Sequence, residues 1–445
     1  MMQAKAKRAG QNSAERTNRL GRRRITAMLS YLIVLLVSFV GTSFIDMTVV
    51  STEGDIGRQI AILISFVLML LALVEKIAKP WRNTVPITIL LLLAYCLLSV
   101  SWAIDPAISI RRLALTALGM WIVFTAVDEL GFATILRITR WMLAALLIVN
   151  YATVYLSDLG VHGVALGDFD DITGHWRGIL PHKNVAGVIC AITVLLFVFD
   201  ARRIPVVVRG AVILASLFFL YEAHSKTSWG TLLAALLAGG MMRFYSRRGR
   251  RWLIPALVVG VLVVSALAAH FASAGSDIIN DPASISGRVW IWTSLLEYAG
   301  DHPWTGAGFG SFWQIGLDSP INEYGAEWMS IYAGHGHNGY LDLLVTIGLP
   351  GLILALVSLV FLPAYLLVVT DMPASRRALL TAMLIFAVSH NFTESSLLDR
   401  VSALQVFLML ALAAIHNTAR QANPRRSPAW RKLLRKPARR VIRPA

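Results

Sequence analysis

The sequence predicts an all-α polytopic membrane protein of about twelve transmembrane helices with one large outer loop. Three observations carry this prediction. Of 445 residues, 56% are hydrophobic and only 15% charged, against about 25% charged in soluble proteins. Mean hydropathy is +0.64. Apolar runs near the length needed to cross a hydrocarbon core of about 30 Å recur along the whole chain. The same figures exclude disorder, coiled coil, collagen and a disulfide scaffold. The two cysteines, Cys96 and Cys190, lie inside apolar runs and cannot form a metal site alone.

In chain order, a basic N-terminal segment (1–25) leads into region 26–271, which carries nine helices at 26–45, 59–74, 86–102, 112–127, 138–157, 184–200, 205–222, 227–243 and 252–271. Within it, 158–183 forms an outer loop. The first span follows Arg22-Arg23-Arg24 as a signal peptide would. Its apolar run is too long for one and no small-x-small cleavage site follows, so it reads as an uncleaved anchor. A polar stretch rich in Trp and Gly, 272–337, forms the large outer loop; a long insert in a compact bundle usually carries function. Region 338–417 supplies three more spans, at 350–369, 378–391 and 401–417, and 418–445 is a basic tail.

An even number of spans puts both termini on one side. Of the 41 Lys+Arg, 33 fall on that side and 8 on the other, so the terminal side is expected to be cytoplasmic. The acids divide 6 to 19 in the opposite sense, giving about +27 inside and −11 outside. This asymmetry accounts for the net +16 without a nucleic-acid partner. The tail from Arg425 to Arg443 has two readings: contact with anionic lipid headgroups, or a solvated segment.

The spans are nearly free of Asp, Glu, Lys and Arg, whereas ion-coupled transporters tend to hold ionisable groups near the midplane. Nine of the ten histidines fall at the outer side. Any chemistry is therefore expected at the outer surface, and four segments there are candidates. The first is Arg177-Gly-Ile-Leu-Pro-His182-Lys183-Asn184. Two outer cations stand here where a helix begins, and helix N-termini favour anions; the plain alternative is a span border with a snorkelling lysine and an Asn184 cap. The second is Ser286-Gly-Arg288-Val-Trp290-Ile-Trp292. An arginine fork suits two phosphate oxygens, and the tryptophans are either an interfacial belt or stacking platforms for sugar rings. The third is Gly334-His335-Gly-His337-Asn338-Gly-Tyr340. Neutral imidazole at the mouth of a helix points to a general base. A His-x-His pair also raises zinc, but no cysteine is near and no three- or four-ligand cluster appears at zinc spacing, so no metal is expected. The fourth is Glu222-Ala-His224-Ser225-Lys226-Thr227-Ser228, either a polar hairpin or a further cation, Lys226, at the site. A Ser225/Lys226 hydrolase dyad is disfavoured because adjacent turn residues usually point apart.

These motifs resemble the O-antigen ligase and polymerase superfamily. His337-Asn338, nine residues, then Gly348-Leu-Pro-Gly351 fit its His-Asn-x9-Gly-x-x-Gly pattern. Gly287-Arg288…Trp292, the stretch His302-Pro-Trp-Thr-Gly306-Ala-Gly308-Phe-Gly310 and Arg177…Pro181-His-Lys-Asn184 are similar too. Pro181-His-Lys-Asn184 and Ser225-Lys226-Thr227 look most like the exopolysaccharide polymerase branch. The motif resemblance covers about 160–370; elsewhere it is one of topology.

The resemblance implies a membrane glycosyltransferase in the bacterial inner membrane, with an extracytoplasmic (periplasmic) site. Its donor would be a glycan on undecaprenyl diphosphate. Its acceptor would be a sugar hydroxyl, on another lipid-linked repeat in a polymerase or on lipid A–core in a ligase. A chain-length regulator is a candidate partner, and neither metal nor nucleotide cofactor is implied. His337 would be the base. Arg177 and Arg288 would bind the diphosphate, and direct attack would invert the anomeric centre. His182, Lys183, Asn184, Lys226, Trp290, Trp292, His335 and Asn338 are candidates for substrate contact. His335, between glycines, is expected to be freer than His337. A flippase, or a metal-dependent transferase using Asp46, Glu53 or Asp55 in the first outer loop, are the competing expectations.

Overall fold

A computed structural model describes residues 2–39, 56–74, 84–163, 172–245, 288–399 and 401–422. The expected span 252–271, the acids Asp46, Glu53 and Asp55, residues Ser286 and Gly287, and the tail beyond 422 lie outside the described residues. Among the described residues the regular structure is helical, joined by turns and loops, apart from one isolated bridge between Val161 and Trp176.

The helices are α1 (Met2–Phe39), α2 (Ile56–Leu73), α3 (Ile87–Ser99), α4 (Pro106–Leu130), α5 (Phe132–Leu156), α6 (Lys183–Val198), α7 (Val206–Glu222) and α8 (Lys226–Arg243). They continue as α9 (Arg288–Asp301), the short α10 (Ile321–Tyr324) and α11 (Glu327–Tyr332), then α12 (Gly339–Leu356), α13 (Leu362–Val369), α14 (Ala374–His390) and α15 (Ala403–Ala422). Among the described residues, five stretches are long and apolar enough to cross a membrane: α2, α4, α5, the run Gly339–Val369 and α15. The protein is a helical membrane protein.

Apolar runs alone misplace several boundaries. The span expected at 112–127 is α4, which starts earlier because Asp105 Oδ1 caps Ile108 N at 2.8 Å and Pro106 occupies the first turn. It ends at Gly131, whose φ is +78°. The basic stretch before 26 continues α1 as helix rather than standing apart, since Arg, Lys, Gln and Ala are good helix formers. The span expected at 350–369 begins at Gly339. It bends at Gly348 (φ +64°), passes Pro350, and loosens into a π-turn over Val357–Phe361. Gly348 has a second constraint: a Cβ there would meet Trp304 O at 2.3 Å, because 303–307 is laid against this bend. Leu349 N donates to Pro303 O at 2.8 Å and Ala307 N to Val345 O at 2.8 Å.

The described part of the segment expected to be an outer loop, 288–337, is not a plain loop. It folds over its own small core of Ile291, Leu295, Tyr298, Phe312, Trp313, Ile321 and Met329, closed by Val345 of α12. Arg112, counted as an outer cation, is buried and fastens this segment to α4, donating to the carbonyls of Gly310 (2.6 Å), Trp313 (2.7 Å) and Gln314 (3.2 Å). At the other end of α4, Glu129 pairs with Arg23 of α1, and Asp128 with Arg420 of α15 at 3.1 Å. The anchoring of the 288–337 segment at Arg112 and the ion pairs to Arg23 and Arg420 at Glu129 and Asp128 thus lie 16–17 residues apart along α4, about 25 Å at 1.5 Å per residue.

Candidate active site

Three of the four sequence segments converge on a residue that sequence reasoning did not single out, Glu394, and the fourth reaches it through Asn184. It sits in the turn after α14. Asn391 shapes that turn: its Oδ1 accepts from Ser396 N (2.8 Å) and Leu397 N (3.1 Å), and its Nδ2 donates to Ala387 O (2.7 Å). Gly339 N donates to Asn391 O and Glu394 O, which joins this turn to the start of α12. Glu394 Oε1 accepts from Arg288 Nη2 at 2.9 Å and from Asn184 Nδ2 at 2.7 Å. Its Oε2 lies 3.5 Å from His337 Nδ1. The carboxylate is buried. Burial raises its pKa, but His337, His335 and Arg288 outweigh that and hold it down at about 2, so it is an anion at neutral pH.

Each partner is held by local structure. His182, not Asn184, caps α6, its Nδ1 accepting from Asn184 N at 3.2 Å. Asn184 then sits in the first turn with its side chain turned toward Glu394. Gly187 lets α6 close on α8; a Cβ there would meet the Ser225 side chain at 2.6 Å. That approach places Ser225 Oγ 3.4 Å from Asn184 Oδ1 and 3.0 Å from Ser228 Oγ. Ser225 is buried and Lys226 exposed, so the two point apart as expected of a turn.

His335 and His337 flank a clamped turn. Gly336 N donates to both oxygens of Asp342 (3.0 and 3.1 Å), Trp292 Nε1 donates to Gly336 O (2.9 Å), and Trp313 Nε1 holds Asp342 Oδ1 (2.8 Å). Two expectations change here. Trp292 is a structural tie, whereas Trp290 remains exposed. His335 is not the freer histidine: its Nδ1 accepts from His337 N at 3.2 Å, and burial lowers its pKa. Gly334 and Gly336 admit the close approach of Gln314, Leu295 and Asp342 rather than loosen the turn. His337 takes φ +49°, a conformation rarely held by non-glycine residues. Its Nδ1 is buried without a hydrogen-bond partner, facing Glu394. Asn338 is the cap of α12, with Oδ1 accepting from Tyr340 N and Leu341 N.

Arg177 lies apart from the Glu394 centre. Its Nε donates to Leu159 O at 3.1 Å and its Nη1 reaches Pro181 O at 3.5 Å, which ties the loop ahead of α6. Lys183 turns to the same side, with Nζ 3.0 Å from His175 Nδ1. His162 Nε2 accepts from Lys183 N at 3.1 Å. Burial pushes His162 down to about 3 and His182 to about 4; Lys183 adds to both shifts, and Glu394 partly opposes the second. Both imidazoles are neutral at physiological pH.

The expectation that no three-ligand cluster exists is corrected. His335, His337 and Glu394 offer ligand atoms all within 4.8 Å of one another, a two-His, one-carboxylate set of a kind zinc accepts. The sequence hid it because Glu394 stands 57 residues after His337. Arg288 already supplies a positive charge at this carboxylate. Chemically, the constellation combines a base candidate, a carboxylate behind it and a guanidinium beside it. That is suited to moving a proton next to a developing negative charge.

A family profile described as O-antigen ligase matches residues 210–356. That stretch contains Arg288, His335 and His337 but neither Asn184 nor Glu394. The chain is also similar to the exopolysaccharide production protein ExoQ of Rhizobium meliloti (strain 1021), at 24% identity over 282 residues. The similarity covers 60% of this chain and 62% of that relative, less than two thirds of its length. Together these findings support the O-antigen ligase and polymerase superfamily, on its ExoQ-like side.

Proposed function

We propose, on that resemblance and the Glu394 constellation, that the protein is a membrane glycosyltransferase of polysaccharide biosynthesis. It transfers a glycan from undecaprenyl diphosphate to a sugar hydroxyl and so polymerises exopolysaccharide or O-antigen repeats. The observation that carries the reading is the meeting of Arg288, His337 and Asn184 on one buried carboxylate. The acceptor oxygen forms a bond to the donor's anomeric carbon while the bond from that carbon to the diphosphate oxygen breaks, with inversion. The hydroxyl proton goes to His337, and the electron pair leaves with the diphosphate.

Glu394 divides the labour. Facing Nδ1, it favours the tautomer protonated there, so Nε2 is the atom that accepts the proton, and it stabilises the imidazolium that results. Arg288 gives one N–H to Glu394 and retains others for the diphosphate. Arg177 is the second cation in the proposal, and it also positions the loop that leads to His182. His182, Lys183, Lys226, His335 and Trp290 remain candidate substrate contacts around this centre.

The proposed setting is the bacterial inner membrane, with about twelve spans, cytoplasmic termini and a periplasmic site. The 33 to 8 division of Lys+Arg supports it. We take the reaction to be metal-independent, with arginines in the electrostatic role. The test is reconstitution of the purified protein with a lipid-linked oligosaccharide, with and without lipid A–core. Longer lipid-linked glycan made from donor alone supports polymerisation. Product formed only when lipid A–core is present makes it a ligase. ATP- or gradient-dependent movement of intact donor without a new glycosidic bond makes it a flippase.

A further inference from the structure

We infer that the cleft at the far end of α9 is a second glycan-binding site, which takes a neutral stretch of the polysaccharide and rejects acidic chains. This inference deepens the transfer reading and rests on it for the identity of the chain. The cleft is about 560 Å³, within the range of about 300–1,000 Å³ usual for ligand sites. It is lined by Trp102, Tyr298, His302, Asp318, Asn322 and Glu323, among others.

The aromatic surfaces are fixed in advance. Trp102 Nε1 donates to Thr305 O at 3.1 Å, and its ring packs edge-on against Tyr95. Tyr298 sits against His302 at 4.5 Å and meets the Tyr324 ring at 5.1 Å; the Tyr324 hydroxyl in turn donates to Asp301 Oδ2 at 3.0 Å. Rigid rings with a polar tip suit the C–H faces and hydroxyls of sugars, and prior ordering lowers the cost of binding. The polar groups are acceptors. Asn322 uses its Nδ2 on Gly316 O and Leu317 O, which leaves Oδ1 to accept. Asp318 and Glu323 are exposed carboxylates beside it. Among the described residues, no lysine or arginine lines the cleft. Sugar hydroxyls can donate to such a surface, whereas a uronate or phosphate would face like charge.

The cleft is aligned with the Glu394 centre. Arg288, Leu295, Tyr298 and His302 fall on one stripe, α9 with its final turn. Arg288 marks one end and His302 the other, about 20 Å apart at 1.5 Å per residue. Leu295 packs toward Gly336 between them. Leu295 and Tyr298 face the small core, so the stripe gives the distance between the two sites, one that several sugar rings span. The cleft therefore holds a distal part of acceptor or product, not the reacting residue.

The test is binding of free oligosaccharides to the full-length protein in detergent, read by calorimetry. The neutral probes are cellohexaose, laminarihexaose and maltohexaose, and the acidic probe is hexagalacturonic acid. We expect at least one neutral probe to bind, about tenfold or more tighter than the acidic one. Trp102→Ala should weaken neutral binding by about tenfold or more. Because Trp102 also packs structurally, the surface double variant Asp318→Lys/Glu323→Lys provides a second reading: it should narrow or reverse the neutral preference. Arg288→Ala should bind the neutral probe as wild type does, which separates this site from the transfer centre. Failure of all neutral probes, equal binding of the acidic probe, or a charge-reversed variant with unchanged preference would each overturn the inference. Oligosaccharide binding without glycan transfer would instead sink the transfer reading alone.

Discussion

Replacing Glu394 with glutamine isolates what the buried carboxylate does. The substitution keeps the side-chain volume and an oxygen for Asn184 but removes the negative charge. In the wild type that charge is present throughout the physiological range, since the carboxyl is held at about 2 against the upward pull of burial by His337, His335 and Arg288. It lies 3.5 Å from His337 Nδ1. Once His337 takes the acceptor's proton, two unit charges face each other at that distance, and at an effective dielectric of about 20 they interact by about 5 kcal/mol. The His337 side chain is 30% exposed, so solvent screens part of this and about 2–3 kcal/mol is expected to survive. At about 1.4 kcal/mol per decade that is roughly 30–150-fold in turnover. The assay is glycan transfer from lipid-linked donor in proteoliposomes, with kcat and donor KM measured separately. The loss should fall on kcat, because the charge pair forms only as the reaction proceeds. A Glu394→Gln protein that is well folded and turns over within about threefold of wild type would refute the coupling of Glu394 to the base.

Arg288→Ala should cost about 10²–10³ in rate, and Arg288→Lys should recover little, because an ammonium cannot serve Glu394 and a diphosphate as a planar fork does; normal polymer from either variant would remove Arg288 from the site. His337→Ala should lower turnover by about 10²–10⁴ with donor affinity nearly unchanged. His335→Ala should retain more activity yet lower the thermal midpoint, since its ring accepts from His337 N; the reverse pattern would exchange their roles. His162 and His182 have folded pKa values of about 3 and 4, below the ordinary 6.5, owing first to burial. Their contribution to stability is therefore full above about pH 6.5 and is lost as pH falls toward 4. Melting curves between about pH 7.5 and 5 should show this decline, and a His162→Gln/His182→Gln variant should show a shallower one. Transfer should persist in EDTA; loss restored by Mg²⁺ or Zn²⁺ would move the chemistry to a metal held by His335, His337 and Glu394.

Much of the centre was legible because its members are of uncommon type for their surroundings. Arg288 stands out in an expected outer half with few cations, and His337 stands out at the mouth of an apolar helix. Glu394 was not legible, because acids are common on that side and nothing local marks this one. Its neighbours Thr393, Ser395 and Ser396 read as an ordinary polar turn, and only folding brings it to residues 57 and more positions away. The glycine motifs misled in another way. Gly306 and Gly348 look like parts of a site, yet they permit the 303–307 segment to lie on the bend in α12. Helix α9 was missed because its apolar face covers a small core rather than lipid, so its run is too short to resemble a span. Asn184 and His182 exchanged roles because a histidine Nδ1 can cap a helix as well as an amide oxygen can.

The central claim is that proton removal at His337 and departure of the diphosphate belong to one reaction. The direct measurement is single-turnover release of undecaprenyl diphosphate from a defined lipid-linked oligosaccharide, alongside formation and anomeric configuration of the new glycosidic bond, for wild type and His337→Ala. The account predicts one diphosphate released per inverted bond formed, with both slowed together by about 10²–10⁴ in the variant. Wild-type release rates in His337→Ala, or bond formation with retained configuration, would contradict it.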